Sequence, residues 1–523
     1  MNITFILEKA LSLYPEKEAV VCRQHRFTYR QFGARVYGLA GFLNSTGVRR
    51  GDRVAILHEN SHEFLEAYFA AAQIGAVLNP LNIRLRPLEL APILRDSGAT
   101  LLIASRRFRP DVESLIAMGT ELKTIIWTGG SKAEDPPDSI SYEEALAAQG
   151  SAPPSPTNFS DDDVAQLYYT SGTTGAPKGV MLSHKNVCTH ALAAVAELRL
   201  GDHDNWLHVA PLFHLADAWA TFAITWVGGK HVVVTDFDVP DVLRTIQAER
   251  VTLTNMIPSM LNTLVNSQEV VACDFSSLRT MMSGGAPIAP DLVRGVMETF
   301  KCDYIQTYGM TETCPYLSVS ILKQNLAHLT PEEQFRYKAK TGRPFIGVLL
   351  KVVREDGTDV EPNDREVGEI IVKGDIVTRG YWNRPEETRK ALRSGWLYTG
   401  DLAVLDQEGY INIVDRKKDM IITGGENVYS IEVENALYAL PYILEAAVVG
   451  VPDPKWGEAV KAVVVLQPGH DVTEVKVIQD CKARIAGYKA PKTVDFVSEL
   501  PKTGSGKISK TALKKLCGKG DAR

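Results

Sequence analysis

The sequence has no uninterrupted apolar run of the roughly eighteen residues that a membrane-spanning helix requires. Its first stretch, MNITFILEKALSLYPEKEAV, meets Glu8 and Lys9 before any long apolar core develops, so it does not read as a secretory signal. Cysteine is sparse, with seven in 523 residues and no two at CxxC spacing. That excludes a cysteine-built zinc ribbon or redox pair and suits a reducing compartment, so the expected location is the cytoplasm. Positive charge is not in excess either. A formal net charge of -6 offers no field for nucleic acid, and the lysines at the C-terminal end (Lys507, Lys510, Lys514, Lys515, Lys519) read as a solvated tail. No GxxxxGK[ST] register is present around the glycine-rich segments, which excludes a Walker A loop.

What remains is ample core material, 45% apolar against 23% charged residues, in a chain too long for one hydrophobic core. Short β-branched runs (RVAILH, 53–58; TLLIAS, 100–105; KHVVVT, 230–235; RVTLTNMI, 250–257; LRTMMSGG, 278–285) alternate with amphipathic stretches such as FLEAYFAAAQIGA. Unbroken apolar strands separated by helices predict parallel sheets covered on both faces. From Thr341 the texture changes: VLLKVVRED, GEIIVKG and GYINIVD are separated by turn residues and predict antiparallel strands. Beyond DRKKD (415–419), helix and strand patterns alternate again within about a hundred residues, as expected of a compact α+β domain. The predicted architecture is α/β: a large domain over 1–417, made of two parallel-sheet subdomains and a small barrel-like one, then a small α+β domain over 418–523.

The segment YTSGTTGAPKG follows the apolar strand Val164–Tyr169. Thr170, Ser171, Gly172, Thr173, Thr174 and Gly175 bring small residues, hydroxyls and backbone N–H groups that can curl around phosphate oxygens, and Lys178 adds a point charge. This segment resembles the signature of adenylate-forming enzymes: acyl- and aryl-CoA synthetases, peptide-synthetase adenylation domains and luciferase. Further motifs in the expected order extend the resemblance over nearly the whole chain, and it implies ATP, Mg2+ and CoA as ligands.

By that resemblance Tyr308, Gly309, Thr311 and Glu312 (YGMTE) form the second nucleotide segment. Tyr308 would lie on adenine, Thr311 on the α-phosphate, and Glu312 with Thr170 at Mg2+, a hard cation suited to oxygen ligands. Gly285 and Ala286, in MSGGAP, would approach the adenine closely. Asp401 and Arg416 would clamp the ribose, with Ile413 against the adenine. His214, in PLFH, would gate the acyl and pantetheine channel. Lys507, in LPKTGSGK, would be the mobile cation at the transferring phosphoryl group. Lys418, two positions after the ribose-binding arginine, would be the hinge on which the small domain turns between two half-reactions, bringing Gly425 to the pantetheine. Pocket-lining candidates are Trp219, Met256, Ile257, Ser283, Gly284, Thr307 and Thr313.

Three positions depart from the family's commonest pattern: Ile346 and Ser430 stand where proline is usual, and Thr307 where aromatic-acid ligases often have glycine. The implied function is a carboxylic acid–CoA ligase, on a fatty or other aliphatic acid, with an aryl or cyclic acid as the alternative. A stand-alone adenylation enzyme that loads a carrier protein would share the first half-reaction, and a non-catalytic nucleotide-binding regulator would share only the fold. Small molecules are the expected partners, with a homodimer as the candidate assembly. Replacing Lys507 with alanine should slow adenylation on the order of 10²–10³-fold, as for loss of one preorganised electrostatic donor. Acyl transfer from synthetic acyl-AMP to CoA should be largely spared, and an equal fall in both half-reactions removes Lys507 from that role.

Overall fold

Each apolar run read above becomes a strand, and parallel pairing decides its neighbours. The computed structural model describes all residues except 130–138, 151, 153–158, 171–176, 286, 287, 289, 503–507 and 518–523. It divides into two compact units, Met1–Leu349 with Val372–Leu397, and Leu350–Ile371 with Tyr398–Arg523.

The first unit holds two sheets. In one, the order is Ile140–Ser141, Thr124–Thr128, Leu101–Ser105, Arg53–Leu57, Val77–Pro80, Val164–Thr170, Lys178–Ser183. All neighbours are parallel except the last pair, an antiparallel hairpin that places Thr170 opposite Lys178. In the other, Leu253–Met256, Thr280–Gly284 and Asp303–Gly309 run parallel side by side, with antiparallel strands at both edges. The expectation of parallel sheets thus holds for the centres and is corrected at the edges. Burial explains the run-like sequence pattern: strands such as Leu101–Ser105 and Thr280–Gly284 are covered at every residue, which alternating polar positions would not permit. Ala55, Leu57, Leu94, Leu102, Val112 and Leu115 fill one core, and Leu207, Leu243, Met256, Leu264, Met281 and Phe300 another.

One helix of this unit, Leu215–Val227, is apolar nearly all round and docks by polar contacts as well as packing. Fully buried Asp217 in its first turn accepts from Trp206 Nε1 (3.0 Å) and His208 Nδ1 (2.6 Å). His208 Nε2 lies 2.9 Å from His231 Nδ1, and His231 Nε2 lies 2.9 Å from the Thr225 hydroxyl on the same helix. A carboxylate with two buried donors is costly to break, so the chain fixes where the helix starts, at His214.

In the second unit, Ile411–Arg416 pairs antiparallel with Trp396–Leu405, placing Asp401 opposite Arg416 and Leu402 opposite Asp415. The C-terminal sheet runs Glu426–Val428, Ile421–Thr423, Gly457–Leu466, Ile443–Asp453, with Thr493–Phe496 parallel to Gly457–Leu466. Strand alternation splits its core in two: Val448 and Val464 pack with Val433, Leu437 and Val477, while Val449 and Val463 pack with Leu500 and Leu513 of the last helix.

Candidate active site

In sheets of parallel strands, loops at the carboxyl ends gather where ligands bind. Met256, Gly284 and Gly309 are those ends in the second sheet, and register sets Met256 beside Ser283 and Gly284 beside Thr307. The Thr307 hydroxyl donates to the Ser283 carbonyl at 3.0 Å and fills the space above Gly284 so closely that a Cβ there would meet Oγ1 at 2.3 Å. A Cβ at Gly309 would meet the Pro315 carbonyl at 1.8 Å, so only glycine passes there. Tyr308 is half-buried at the same strand end, and Gly285 is exposed.

Glu312 sits in the tight turn Thr311–Thr313 and is buried. Its backbone carbonyl accepts from Thr378 N–H (2.7 Å), and its Oε1 accepts from the Tyr381 hydroxyl (2.9 Å). Burial and the Glu312 charge both push the Tyr381 phenol above its usual range, so it stays a donor. The Lys178 ammonium lies 5.4 Å from the centre of the same Tyr381 ring. Trp382 N–H donates to the Gly179 carbonyl (2.7 Å) and Met181 N–H to the Gly380 carbonyl (3.1 Å), laying this segment along the hairpin Val164–Thr170 and Lys178–Ser183. The structure therefore brings Lys178 and Glu312 to one tyrosine, the first at its ring and the second at its hydroxyl. Tyr381 was missed in the sequence, where only the glycine-flanked aromatic pair in TRGYWN marked it. Thr313 is fully buried, with its hydroxyl bonded to the Met310 backbone (3.2 Å to N, 3.0 Å to O).

His214 caps the helix Leu215–Val227, and its Nδ1 accepts the Ala216 N–H at 3.2 Å. Trp219 is buried, with Nε1 donating to the Ala216 carbonyl (3.1 Å), and Ile257 is half-buried just ahead of Pro258. Rings pack behind this helix end: Trp219 lies 5.2 Å from Tyr316 and 5.7 Å from His190, and His190 stacks on Phe345 at 5.2 Å. His190 Nε2 accepts the Tyr316 N–H (3.3 Å), and burial lowers its pKa to about 3, so it is neutral. A narrow gap between Leu215, Trp219, Phe222, Val187, His190 and Gln166 opens beside the cluster. Among the described residues, neither amide atom of buried Gln166 has a hydrogen-bond partner.

On the second unit, Arg416 Nε and Asp401 Oδ1 are 3.1 Å apart, with Asp401 buried and the arginine side chain 57% exposed. So exposed a pair adds little to stability, about 0–1 kcal/mol. Ile413 is half-buried on the same strand, and Lys418 and Gly425 are exposed. Ser171, Gly172, Thr173, Thr174, Gly175, Ala286 and Lys507 lie outside the described residues.

Residues 7–382 match the family model for AMP-binding enzymes, and 432–507 the model for the AMP-binding enzyme C-terminal domain. A feruloyl-CoA synthase from Amycolatopsis sp is 39% identical over 94% of each chain. A long-chain-fatty-acid–CoA ligase from Thermus thermophilus is 37% identical over 98% of this chain and 95% of its own. Among solved structures, an anthranilate CoA ligase in complex with anthranoyl-AMP superposes with a TM-score of 0.90 at 28% identity, covering 100% of this chain and 98% of that one. ATP-bound MatB from Rhodopseudomonas palustris gives 0.86 at 30% identity over 99% of both. The chain belongs to the AMP-binding enzyme family, as an AMP-forming acid–CoA ligase that uses ATP and CoA.

Replacing Tyr381 with phenylalanine removes the hydroxyl that orients the Glu312 carboxylate. Adenylate formation should fall about tenfold, the worth of one hydrogen bond to a charged group, and the Mg2+ concentration for half-maximal rate should rise. An unchanged Mg2+ titration separates Tyr381 from Glu312. His190 sets a pH dependence of stability. Its folded pKa of about 3 lies below the ordinary 6.5, so the unfolded chain binds its proton first as pH falls. Stability from this group is complete above about pH 6.5 and is lost towards pH 3, by up to about 1.4 kcal/mol per pH unit. Urea midpoints from pH 7 to 4 should show a flatter slope in His190→Phe than in the wild type.

Proposed function

We propose that the chain joins a compact carboxylic acid to CoA through an acyl-adenylate, with Lys178, Tyr381 and Glu312 at the centre of the phosphate site. The observation that carries this reading is the single tyrosine that ties the phosphate hairpin to the YGMTE turn. Thr170 and Lys178 take phosphate oxygens. Thr170 and Glu312 offer the hard oxygen donors that Mg2+ prefers. A nucleotide-borne Mg2+ needs only one or two protein carboxylates, in keeping with the absence of any three-residue His, Cys, Asp or Glu cluster among the described residues. When bound, the ion supplies charge neutralisation on the departing diphosphate.

In the first half-reaction a carboxylate oxygen attacks the α-phosphorus and the bond to the β-phosphate oxygen breaks, with Lys507 stabilising the added charge. Tyr308, Gly285 and Ala286 approach the adenine, Ile413 packs against it, Thr311 contacts the α-phosphate, and Asp401 with Arg416 holds the ribose. In the second half-reaction the CoA sulfur attacks the acyl carbon and AMP leaves with the C–O bonding pair. His214 borders the pantetheine path and Gly425 leaves room along it. Lys418 is the pivot between halves, so the functional boundary falls at 417/418. We place the protein in the cytoplasm, in keeping with seven unbridged cysteines. Among the described residues no helix is long and apolar enough to cross a membrane.

The acid is compact because rings close the space behind Leu215. Trp219, Tyr316, His190 and Phe345 pack edge to face and stacked, and the Thr307 side chain fills the space over Gly284. This shortens the aliphatic acid expected from sequence and raises the aryl alternative. Diphosphate and AMP release with a panel of acids, with and without CoA, tests both levels. Hexanoate, benzoates and hydroxycinnamates should exceed palmitate in kcat/KM at least tenfold. A preference for palmitate refutes compactness, and no AMP with any acid refutes the assignment of the site.

A further inference from the structure

A buried polar cluster in the second unit belongs to none of the ligand-binding roles above. The carboxylate of Asp415 accepts the N–H of Arg416 (2.7 Å) and the backbone N–H of Ser430. Ser430 is the first residue of the helix Ser430–Tyr438 and is fully buried. Its hydroxyl accepts from Lys510 Nζ, and that ammonium also pairs with Glu434 Oε1 at 2.8 Å. Glu434 in turn accepts the Val448 N–H at 2.9 Å. Burial pushes the carboxyls of Asp415 and Glu434 up, while the Lys510 charge works against the rise in both. The strand end before Lys418, the helix start after it and the first residue of the helix Lys510–Cys517 therefore meet at one point.

The backbone does not demand serine at this position. Proline suits the first helical residue, and Tyr429 before it is extended (φ -86°, ψ 119°), as a residue preceding proline must be. What serine supplies, and proline would not, is an N–H for Asp415 and a hydroxyl for Lys510.

We propose that the Ser430–Asp415 contact is a latch across the Lys418 pivot, holding the C-terminal segment in one of its two working orientations. The proposal rests on the two-step reading above. Turning about Lys418 must break Ser430 N–H to Asp415, because the partners lie on either side of the pivot. The Lys510 contacts to Ser430 and Glu434 lie wholly beyond it and travel intact. Asp415, Ser430 and Lys510 are thus positioning residues, none of them touching substrate.

Two variants isolate the latch. Ser430→Pro removes the N–H, Ser430→Ala keeps it, and both lose the hydroxyl. Acyl-AMP formation and acyl transfer from synthetic acyl-AMP are measured separately. In Ser430→Pro the ratio of the two rates should move about tenfold from wild type, the worth of one hydrogen bond to a charged group, and in Ser430→Ala by much less. Limited trypsin digestion at the exposed Arg416, Lys417 and Lys418 should quicken several-fold in Ser430→Pro only. Equal slowing of both half-reactions, or equal cleavage of the two variants, overturns the latch. Digestion needs no turnover, so it decides the latch even if no acid is adenylated, a result that would refute the ligase reading instead.

Discussion

The first unit depends on one seam: the segment Thr378–Trp382 lies along the hairpin Val164–Thr170 and Lys178–Ser183. Without it, the edge strand Lys178–Ser183 would lack these outer backbone partners, and Lys178 the ring beside it. The backbone bonds from Trp382 to Gly179 and from Met181 to Gly380 supply the alignment, and Tyr381 supplies the chemistry. Its ring faces Lys178 and its hydroxyl reaches Glu312, so one aromatic side chain contacts both a cation and an anion. Lys178 and Glu312 are thereby kept for a ligand that carries both phosphate and a cation.

Much of this was legible in the sequence because it rests on local patterns. Apolar runs at 53–58, 100–105 and 278–285 announce buried parallel strands, the small residues, hydroxyls and lysine of YTSGTTGAPKG suggest a phosphate cradle, and YGMTE takes its expected role from the family resemblance. What was not legible depends on contacts far apart in the chain. Tyr381 acquires its place only when Glu312 and Gly179 are brought beside it, across sequence separations that no periodicity records. The antiparallel edges were missed for a related reason: Lys178–Ser183 (KGVMLS) is too short and mixed to read as a strand, and its place comes from pairing with Val164–Thr170 and from the Thr378–Trp382 segment beside it. Ser430 could be noticed as a departure from the family's pattern, yet its bond to Asp415 could not.

Some buried carboxylates are fully taken up by donors of the fold. Glu66 is fully buried and accepts from Arg35 (2.6 Å), His62 (3.0 Å) and the Tyr142 hydroxyl (2.7 Å), and Asp217 accepts from Trp206 and His208. Such carboxylates repay their desolvation only through several donors at once, which leaves them committed. Arg416, Lys418 and Gly425 lie at the surface, where a polar contact is worth little and costs little to exchange.

The strand Ile411–Arg416 joins the two kinds. Successive side chains of a strand point to opposite faces, so Asp415 turns into the buried cluster with Ser430 while Arg416 turns outward to Asp401. The residue proposed for the ribose and the residue proposed for the latch are thus neighbours on one strand, facing opposite ways. Asp401 pairs with Arg416 and Leu402 with Asp415, and the ladder shifts register immediately beyond, between Leu402 and Ala403, so the two residues share one short paired segment.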